Sequence, residues 1–333
     1  MRSLFAAVAV LAAACKADSP GDSVFIQTLV ETEDGMLVAL GYASDNYGVH
    51  ITPISATSTD GEQWKVRDNS PWHLEYRQYE PALRRRDGLL YGVARTAQSG
   101  EIRIDSPPSY LIVSTDGATW TSAFSTSGGR VQLPVPRGDG WALLFEETPE
   151  SGYQLSMADA DMSEWTTTMR RWEGDQSKIP MVAASPDTLA VLAPNDFWRS
   201  ADGVAWFETA VSTHIGLYVT QFGWSREGFV ARTQEGRLYS ADGWRWHLSD
   251  APTPELDPPA QILDGAVYGA DGSGALKRDG KRVLVDEETW VEGVLASETH
   301  GRVFAHGSGV YASSDGSEWE SVLDFEDVAD VFR

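Results

Sequence analysis

One short pattern, Ser-x-Asp-Gly-x-x-Trp, recurs along this chain of 333 residues and constrains its fold more than any other feature. The tryptophans that close the five copies are Trp64, Trp120, Trp206, Trp246 and Trp319. A degenerate copy begins at Asp159 and ends at Trp165. With this copy included, the closing tryptophans between Trp120 and Trp246 are separated by 45, 41 and 40 residues. Because a fixed period of this length is typical of repeat architectures, the sequence predicts a fold built from similar units.

Each copy predicts a tight turn between two short strands. Asp-Gly favours a hairpin tip because glycine accepts positive φ and aspartate tolerates it. The carboxylate can accept hydrogen bonds from the amides of its own turn, and the tryptophan can bury its ring against a neighbouring unit. We therefore interpret the aspartates as structural rather than catalytic; they are Asp60, Asp116, Asp202, Asp242 and Asp315.

These turns resemble the Asp-box (BNR) repeats of β-propellers related to sialidases and other secreted propeller proteins. The usual family pattern has one residue between Asp and Gly, whereas Gly follows Asp directly in this chain. The resemblance covers most of residues 23–333 and implies an all-β fold, a single β-propeller. It does not imply an activity, because one fold carries many functions.

Short apolar runs between the turns divide residues 23–333 into seven predicted blades of four strands, with six or eight blades as alternatives. The sixth blade is the weakest, because Arg278-Asp279-Gly280 stands where the repeated turn is expected and Val283-Leu284-Val285 forms the expected outer strand without a tryptophan. The tail from Val328 to Phe332 is predicted to be a strand that closes the ring against the first blade.

The start of the chain predicts export. Residues 1–14 combine a basic beginning with an apolar run too short to span a bilayer, which is typical of a signal peptide. The only cysteine, Cys15, lies where a lipoprotein would be acylated, and residues 15–22 would form a polar tether. The expected location is the cell envelope, at the outer membrane or cell surface. Ordinary cleavage after Ala14, giving a secreted or periplasmic protein, is the alternative.

The formal net charge of −23 argues against binding of nucleic acid or anionic lipid surfaces, so only the lipid anchor would contact a membrane. A single cysteine excludes an internal disulfide. The six histidines are scattered, and Asp159-Ala160-Asp161 lacks the glycine and glutamate of a calcium loop. We therefore expect a monomer without a metal or a cofactor.

Connections that are long in the first three blades and short in the fourth and fifth indicate a binding face. We expect the long ones over 42–50, 68–80, 96–108 and 146–152. The second of these carries aromatic rings beside charged groups, which suit a sugar or peptide surface; the candidate ligand-binding residues are Trp72, His73, Tyr76, Arg77 and Tyr79. The alternative is that these rings pack the loops onto the blades.

Catalysis by the chemistry of sialidases would need an arginine triad, a Tyr–Glu pair and an acid/base aspartate. The sequence lacks the family's Arg-Ile-Pro marker; the nearest string is Lys178-Ile179-Pro180. Adjacent arginines Arg84, Arg85 and Arg86 alternate faces of a strand and cannot all converge on one pocket. The sequence thus favours a non-catalytic propeller that binds a protein or glycan, with no catalytic residue assigned. A sialidase-like glycoside hydrolase with a divergent site is the alternative.

Overall fold

The computed structural model describes fourteen segments of the chain: 23–45, 50–74, 83–96, 108–148, 150–172, 179–193, 196–211, 219–225, 228–233, 236–249, 261–263, 266–270, 274–283 and 289–328. The predicted signal peptide and Cys15 lie outside these residues. The chain divides into two compact units. The first unit comprises Met1–Ile102, Val113–Thr121 and Ala260–Arg333, and the second comprises Arg103–Ile112 and Ser122–Pro259.

The fold is almost entirely β, and consecutive strands pair antiparallel in groups of four. In the first unit, the first sheet contains β1 (Ser23–Glu31), β2 (Leu37–Asp45), β3 (His50–Ser58) and β4 (Lys65–Asp68). The second group begins with β5 (Trp72–Leu74), β6 (Leu83–Arg86) and β7 (Leu89–Thr96) and continues with β8 (Ser109–Ser114) and β9 (Thr121–Ser125). The boundary between the two units passes through β8 and β9.

Three groups follow in the second unit. The third sheet contains β10 (Val135–Arg137), β11 (Gly140–Glu146), β12 (Tyr153–Ala158) and β13 (Trp165–Trp172). The fourth group contains β14 (Met181–Ala184), β15 (Leu189–Leu192), β16 (Phe197–Ser200) and β17 (Phe207–Val211). The fifth group contains β18 (Val219–Ser225), β19 (Gly228–Thr233), β20 (Gly236–Ser240) and β21 (Arg245–Ser249).

The last two groups return to the first unit. The sixth sheet contains β22 (Gln261–Leu263), β23 (Ala266–Ala270), β24 (Leu276–Arg278) and β25 (Lys281–Arg282). The seventh sheet contains β26 (Val291–Ser297), β27 (Arg302–Gly307), β28 (Gly309–Ser313) and β29 (Glu320–Leu323). Among the described residues the only α-helix is α1 (Phe325–Val328), and none is long and apolar enough to cross a membrane.

The second strand of a group reads as a continuous apolar run because both of its faces are covered. In β11 the five residues from Trp141 to Phe145 are all buried. The fourth strand of a group is more exposed, as in β4, where Val66 is the one residue that is not fully exposed. This gradient indicates sheets that pack face to face along their inner strands and meet solvent at their last strand.

Large side chains fill the space between the fourth and fifth groups. Phe197, Phe229 and Trp246 are almost fully buried in one cluster, and the rings of Phe197 and Trp246 lie 4.2 Å apart. Burying a side chain of this size contributes roughly 2–3 kcal/mol to stability. The two groups also join through their outer strands, because β17 pairs in parallel with β21 at Ala210–Arg245 and Val211–Trp246.

The first and seventh sheets share one core. The cluster that contains Ile26 and Ile54 of the first sheet also contains Phe304, Val310 and Leu323 of the seventh. Between these sheets His306 is buried, and its Nδ1 lies 3.1 Å from the carbonyl oxygen of Ile26. The beginning and the end of the described chain are therefore packed together through apolar contacts within one unit.

Glycine in the repeated turns has a second role besides its positive φ. At four turns, a Cβ added to this glycine would lie less than 3.0 Å from a side chain of the preceding group of strands. For the first group, the preceding group is the seventh sheet. The pairs are Gly61 and Phe304, Gly117 and Val38, Gly203 and Met157, and Gly316 and Tyr268. The turns therefore dock each group on its neighbour as closely as a backbone without a side chain allows.

Four details differ from the sequence prediction. Residues 42–45 and His50 belong to β2 and β3, so the first long connection is shorter than expected. The sequence predicts that the third blade starts at Val131, but Val131 makes only an isolated bridge to Phe145 and the third sheet begins at Val135. The turn at Asp279-Gly280 lies where the sequence predicts it, but the outer strand of the sixth sheet follows it directly as Lys281–Arg282, two residues before the predicted Val283.

The fourth difference concerns the tail, where Val328 ends helix α1 instead of starting a strand. Asp324 precedes the helix, and the carboxylates of Asp324 and Asp327 each accept the other's backbone N–H, at 2.9 and 3.4 Å. Such reciprocal capping starts a helix. Val328 is fully buried in the core that the first and seventh sheets share, and residues 329–333 lie outside the described residues.

The close approach at the turns predicts a specific effect of Gly117→Ala. Gly117 and Gly88 have φ values of +65° and +77°, but only Gly117 has a neighbour where the Cβ would lie. We expect Gly88→Ala to cost about 1 kcal/mol from backbone strain alone. Gly117→Ala should cost about 1–3 kcal/mol more, because Val38 must move. Urea unfolding of both variants measures the difference, and equal losses would contradict the docking role.

Burial of His306 predicts a pH dependence of stability. Burial lowers the pKa of His306 from 6.5 to about 4, although its hydrogen bond to the Ile26 carbonyl opposes the shift. Between these values the unfolded chain binds the proton and the folded chain does not, so stability falls as pH falls. From about pH 7 to about pH 5 the loss should be about 2 kcal/mol.

The matched variant is His306→Asn, whose amide can still donate to the Ile26 carbonyl but does not titrate. We expect it to be less stable than the parent chain at about pH 7, because it fills less of the site. Its urea-derived free energy of unfolding should fall less than that of the parent between about pH 7 and about pH 5. The same pH dependence in both proteins would show that His306 is not the group responsible.

Candidate functional site

The turn between β16 and β17 shows what the repeated aspartates do. The hydroxyl of Ser200 donates to Oδ1 of Asp202 at 3.0 Å and accepts the backbone N–H of Gly203 at 2.8 Å. The next two backbone amides donate to the same carboxylate oxygen at 2.8 and 2.9 Å. The Trp206 indole N–H then donates to the carbonyl of Gly203 at 2.8 Å. The Ser200 hydroxyl, one carboxylate oxygen of Asp202 and the Trp206 indole N–H are thus all hydrogen-bonded inside the turn.

The Ser and Asp contacts recur in three other copies. Two backbone amides donate to the carboxylates of Asp60, Asp116 and Asp315 at distances from 2.7 to 3.2 Å. The Trp64 and Trp319 indole N–H groups, however, have no hydrogen-bond partner among the described residues, and the Trp246 indole N–H donates to Thr209. The degenerate copy keeps the geometry, because Met162 takes the glycine position with φ +59° and its carbonyl accepts the Trp165 indole N–H at 3.1 Å.

These hydrogen bonds hold the turn carboxylates in the ionised form. Those from the backbone amides of Ala205 and Val204 keep the pKa of Asp202 below its usual value. The pKa of Asp60 is lowered by the amides of its own turn, and that of Asp315 by Ser317 and Glu318. A carboxyl group that acts as a general acid near neutral pH needs the opposite shift.

Arginines of one group bind the turn of the next. The Arg199 guanidinium donates through Nε to the carbonyl of Asp242 at 2.8 Å, and Arg302 of the seventh sheet donates to Glu62 of the first at 2.9 Å. Arg137 similarly donates to the carbonyl of Ala201. These three guanidinium groups are therefore structural contacts between turns and do not form a shared carboxylate-binding site.

Two of the five predicted ligand-binding residues lie in a strand. Trp72 and His73 belong to β5, which pairs with the end of β7 and not with a loop, so the loop expected over 68–80 is interrupted. Trp72 is half-buried. Tyr76, Arg77 and Tyr79 lie outside the described residues, and the role of all five stays a prediction.

The inner edge of the second group is split. β5 and β6 both pair with the same strand, β7: Leu74 lies opposite Ala94, and Leu83 lies opposite Gly92. On β7, the partner residues Ala94 and Gly92 are separated by Val93 alone. In the sequence, Leu74 and Leu83 are separated by eight residues, 75–82. The sequence between Leu74 and Leu83 is thus longer than the gap of one residue that it spans along β7.

The residues considered for catalysis do not form a site among the described residues. Arg84, Arg85 and Arg86 alternate in burial along β6, and Arg86 pairs with the adjacent Asp87 at 3.1 Å. His300 contacts the carbonyl of Gly35. Within the described segments no group of three or more His, Cys, Asp or Glu side chains could hold a metal ion.

A cleft of about 590 Å³ opens between β17 and the turn before β21, and sequence reasoning missed it. It is lined by Glu208, Thr209, Asp242, Trp244 and Arg245. A signal was available, because this copy of the turn carries an extra tryptophan in the sequence Asp-Gly-Trp-Arg-Trp. The pattern alone could not show that Trp244 is exposed while Trp246 is buried.

Next to the cleft, Phe207 and Trp244 form an exposed aromatic pair. Their relative exposures are 53% and 39%, and their ring centroids lie 5.8 Å apart. The guanidinium carbon of Arg199 lies 4.8 Å from the Trp244 ring centroid, and Arg199 is itself held by Asp242 and by Thr188 at 3.2 Å. The indole therefore has a partner that limits its movement.

Comparisons with known proteins bear on the fold. No family model matches the chain, and no curated protein matches it. Among solved structures, an acylaminoacyl peptidase in complex with a chloromethyl ketone matches with a TM-score of 0.50 and 10% identity over 92% of this chain and 53% of the peptidase. The β-propeller domain of the Trilobed protease from Pyrococcus furiosus matches with a TM-score of 0.47 and 10% identity, over 92% of this chain and 97% of that domain.

A third match is YCF48 bound to a D1 peptide, with a TM-score of 0.43, 14% identity, and coverage of 87% of this chain and 91% of that one. The chain spans about half the length of two peptidase structures that it matches, 51% and 53%. One of these structures is a β-propeller domain. At such low identity the likeness concerns the fold and not an activity.

The turn network predicts an acid-dependent effect of Asp202→Asn. Because hydrogen bonds lower the pKa of Asp202, its contribution to stability is present above its usual pKa of 3.8 and is lost as pH falls through the lower folded value. We expect the variant to unfold at a lower urea concentration near neutral pH and to approach the parent below about pH 3. If the variant were less stable than the parent by the same amount at every pH, the charge of Asp202 would not be the cause of the difference.

Proposed function

We propose that the chain is an exported β-propeller of seven blades that acts by binding a protein or a glycan, not by catalysis. The turn geometry supports an Asp-box relationship, since the Ser, Asp, Gly and Trp of Ser200–Trp206 have distinct roles that follow from their chemistry. The core shared by the first and seventh sheets supports ring closure. Gly61 of the first sheet lies against Phe304 of the seventh, in the same way that turn glycines of later groups lie against side chains of the group before them.

The observation that carries the binding proposal is the insertion of residues 75–82 in the first strand of the second group. In a propeller the first strand of each blade lies nearest the central axis. We propose that Tyr76, Arg77 and Tyr79, which belong to this insertion in the sequence, contact the ligand. Trp72 lies in the strand that leads into the insertion.

Connection lengths support the same face. Twelve residues, 97–108, separate β7 from β8, whereas four and two residues separate the equivalent strands of the fourth and fifth groups. Longer connections on a rigid scaffold are the usual place for ligand binding. The engagement of the turn carboxylates with their own backbone also favours binding over acid–base chemistry.

We propose the cell envelope as the location, with Cys15 as the acylated residue and residues 15–22 as the tether. The support is the sequence pattern of residues 1–15. Metabolic labelling with a fatty-acid analogue tests it: label should enter the parent chain and not Cys15→Ala. Label in neither protein would favour secretion or a periplasmic location.

Binding is tested with the purified chain on a glycan array and against envelope proteins in a pull-down, with a fluorogenic sialic-acid substrate assayed in parallel. We expect binding without turnover, weakened at least about tenfold by Tyr76→Ala and by Trp72→Ala. Trp224→Ala, at a comparably exposed tryptophan of another group, is the matched control and should bind normally. Turnover abolished by Tyr76→Ala would overturn the non-catalytic proposal in favour of a glycoside hydrolase.

A further inference from the structure

The cleft beside β17 and β21 carries a second inference, independent of the insertion in the second group. Large apolar side chains in the described segments are mostly buried, yet Phe207 and Trp244 present rings to solvent side by side. Exposed aromatic rings that contact one another next to a cleft are typical of a binding site, whereas single exposed apolar residues need no explanation.

The indole of Trp244 is held before any ligand arrives. Arg199 stacks on it, and the guanidinium is fixed by one hydrogen bond to Asp242 and another to Thr188. The backbone N–H of Trp244 also donates to the Asp242 carboxylate at 2.9 Å. A fixed ring loses little conformational entropy when it binds, so this arrangement favours affinity.

Charged groups beside the rings are available to a ligand. The carboxylate of Glu208 and the guanidinium of Arg245 are both exposed, and neither makes a hydrogen bond or ion pair with another described residue. One of them accepts and the other donates hydrogen bonds. A ligand that matches both must carry groups that donate and accept within one small volume.

A sugar has this combination, because its ring has apolar C–H faces that stack on aromatic rings and hydroxyls that both donate and accept. The cleft is open to solvent, which leaves room for a sugar ring beside the Trp244 indole. A protein partner would need a contact area of about 800 Å² per side, which is more than one aromatic pair and its rim provide. The net charge of −23 disfavours an acidic polysaccharide.

We propose that the cleft lined by Glu208, Thr209, Asp242, Trp244 and Arg245 binds a neutral oligosaccharide. A sugar ring stacks on Trp244, and its hydroxyls donate to Glu208 and accept from Arg245. Thr209 is not a ligand group, because its hydroxyl already donates to the Phe197 carbonyl and accepts the Trp246 indole N–H, each at 3.2 Å.

The test titrates the purified chain with cellohexaose, maltohexaose, the N-acetylglucosamine hexamer and, as an acidic comparison, a polygalacturonate oligomer. Calorimetry and tryptophan fluorescence are the two measurements. We expect saturable binding of at least one neutral oligomer, at dissociation constants of about 10 μM to 1 mM, and weaker binding of the acidic one. Trp244→Ala should lower the affinity at least about tenfold.

Three further variants identify the site. Trp244→Phe keeps a ring and should retain much of the binding, and Glu208→Gln should weaken it about two- to fivefold. Trp224→Ala, outside the cleft, should leave binding unchanged. Circular dichroism and urea unfolding check that each variant is folded. Equal affinity of the parent and Trp244→Ala, or no saturable binding by any neutral oligomer, would overturn the proposal.

Other occupants have distinct signatures. If the aromatic pair binds another protein, Trp244→Ala should remove capture from an immobilised peptide array while no oligosaccharide binds. If it binds a second copy of the chain, sedimentation should show self-association that Trp244→Ala removes. Either result overturns the glycan proposal. Tyr76→Ala separates this site from the binding site proposed at the insertion, since it should not affect binding in the cleft.

Discussion

Close contact between each turn and the preceding group of strands is the constraint on which the structure depends. At four of these turns the backbone lies so close to a neighbouring side chain that the position favours glycine, which also adopts the positive φ found there. The Asp carboxylate and the Ser hydroxyl hold the backbone in that shape without help from other elements. Local hydrogen bonds thereby set the distance between sheets, which in turn sets the volume that the apolar residues must fill.

Arginine contacts add direction to this packing. Arg199 and Arg302 each extend from one group to the turn of the next, where a carbonyl or a carboxylate accepts their hydrogen bonds. The stacking of Arg199 on Trp244 shows how a residue with a structural role can also shape a surface. A single guanidinium thus links the register of two groups of strands to the orientation of an exposed ring.

Most of the strand order was predictable, because the alternating runs and Asp-Gly turns are local patterns. The split first strand of the second group was not, since Trp72–Leu74 is a run of three residues whose partner, β7, lies about twenty residues away. The capped helix at Phe325–Val328 did have a signal, Asp324 and Asp327 at capping positions. Exposure of Phe207 and Trp244 had none, because it depends on how two outer strands diverge. The predicted ligand residues from Tyr76 to Tyr79 remain untested.

The core that joins Ile26 and Ile54 to Phe304 and Leu323 has a consequence for biosynthesis. These contacts close a loop of nearly the whole chain, so they contribute strongly to a high contact order and form late. While a ribosome is still adding the seventh sheet, the apolar face of the first sheet has no lasting cover. The nascent chain therefore cannot complete this core until its last strands emerge, and a folding helper would need to protect the exposed apolar face until then.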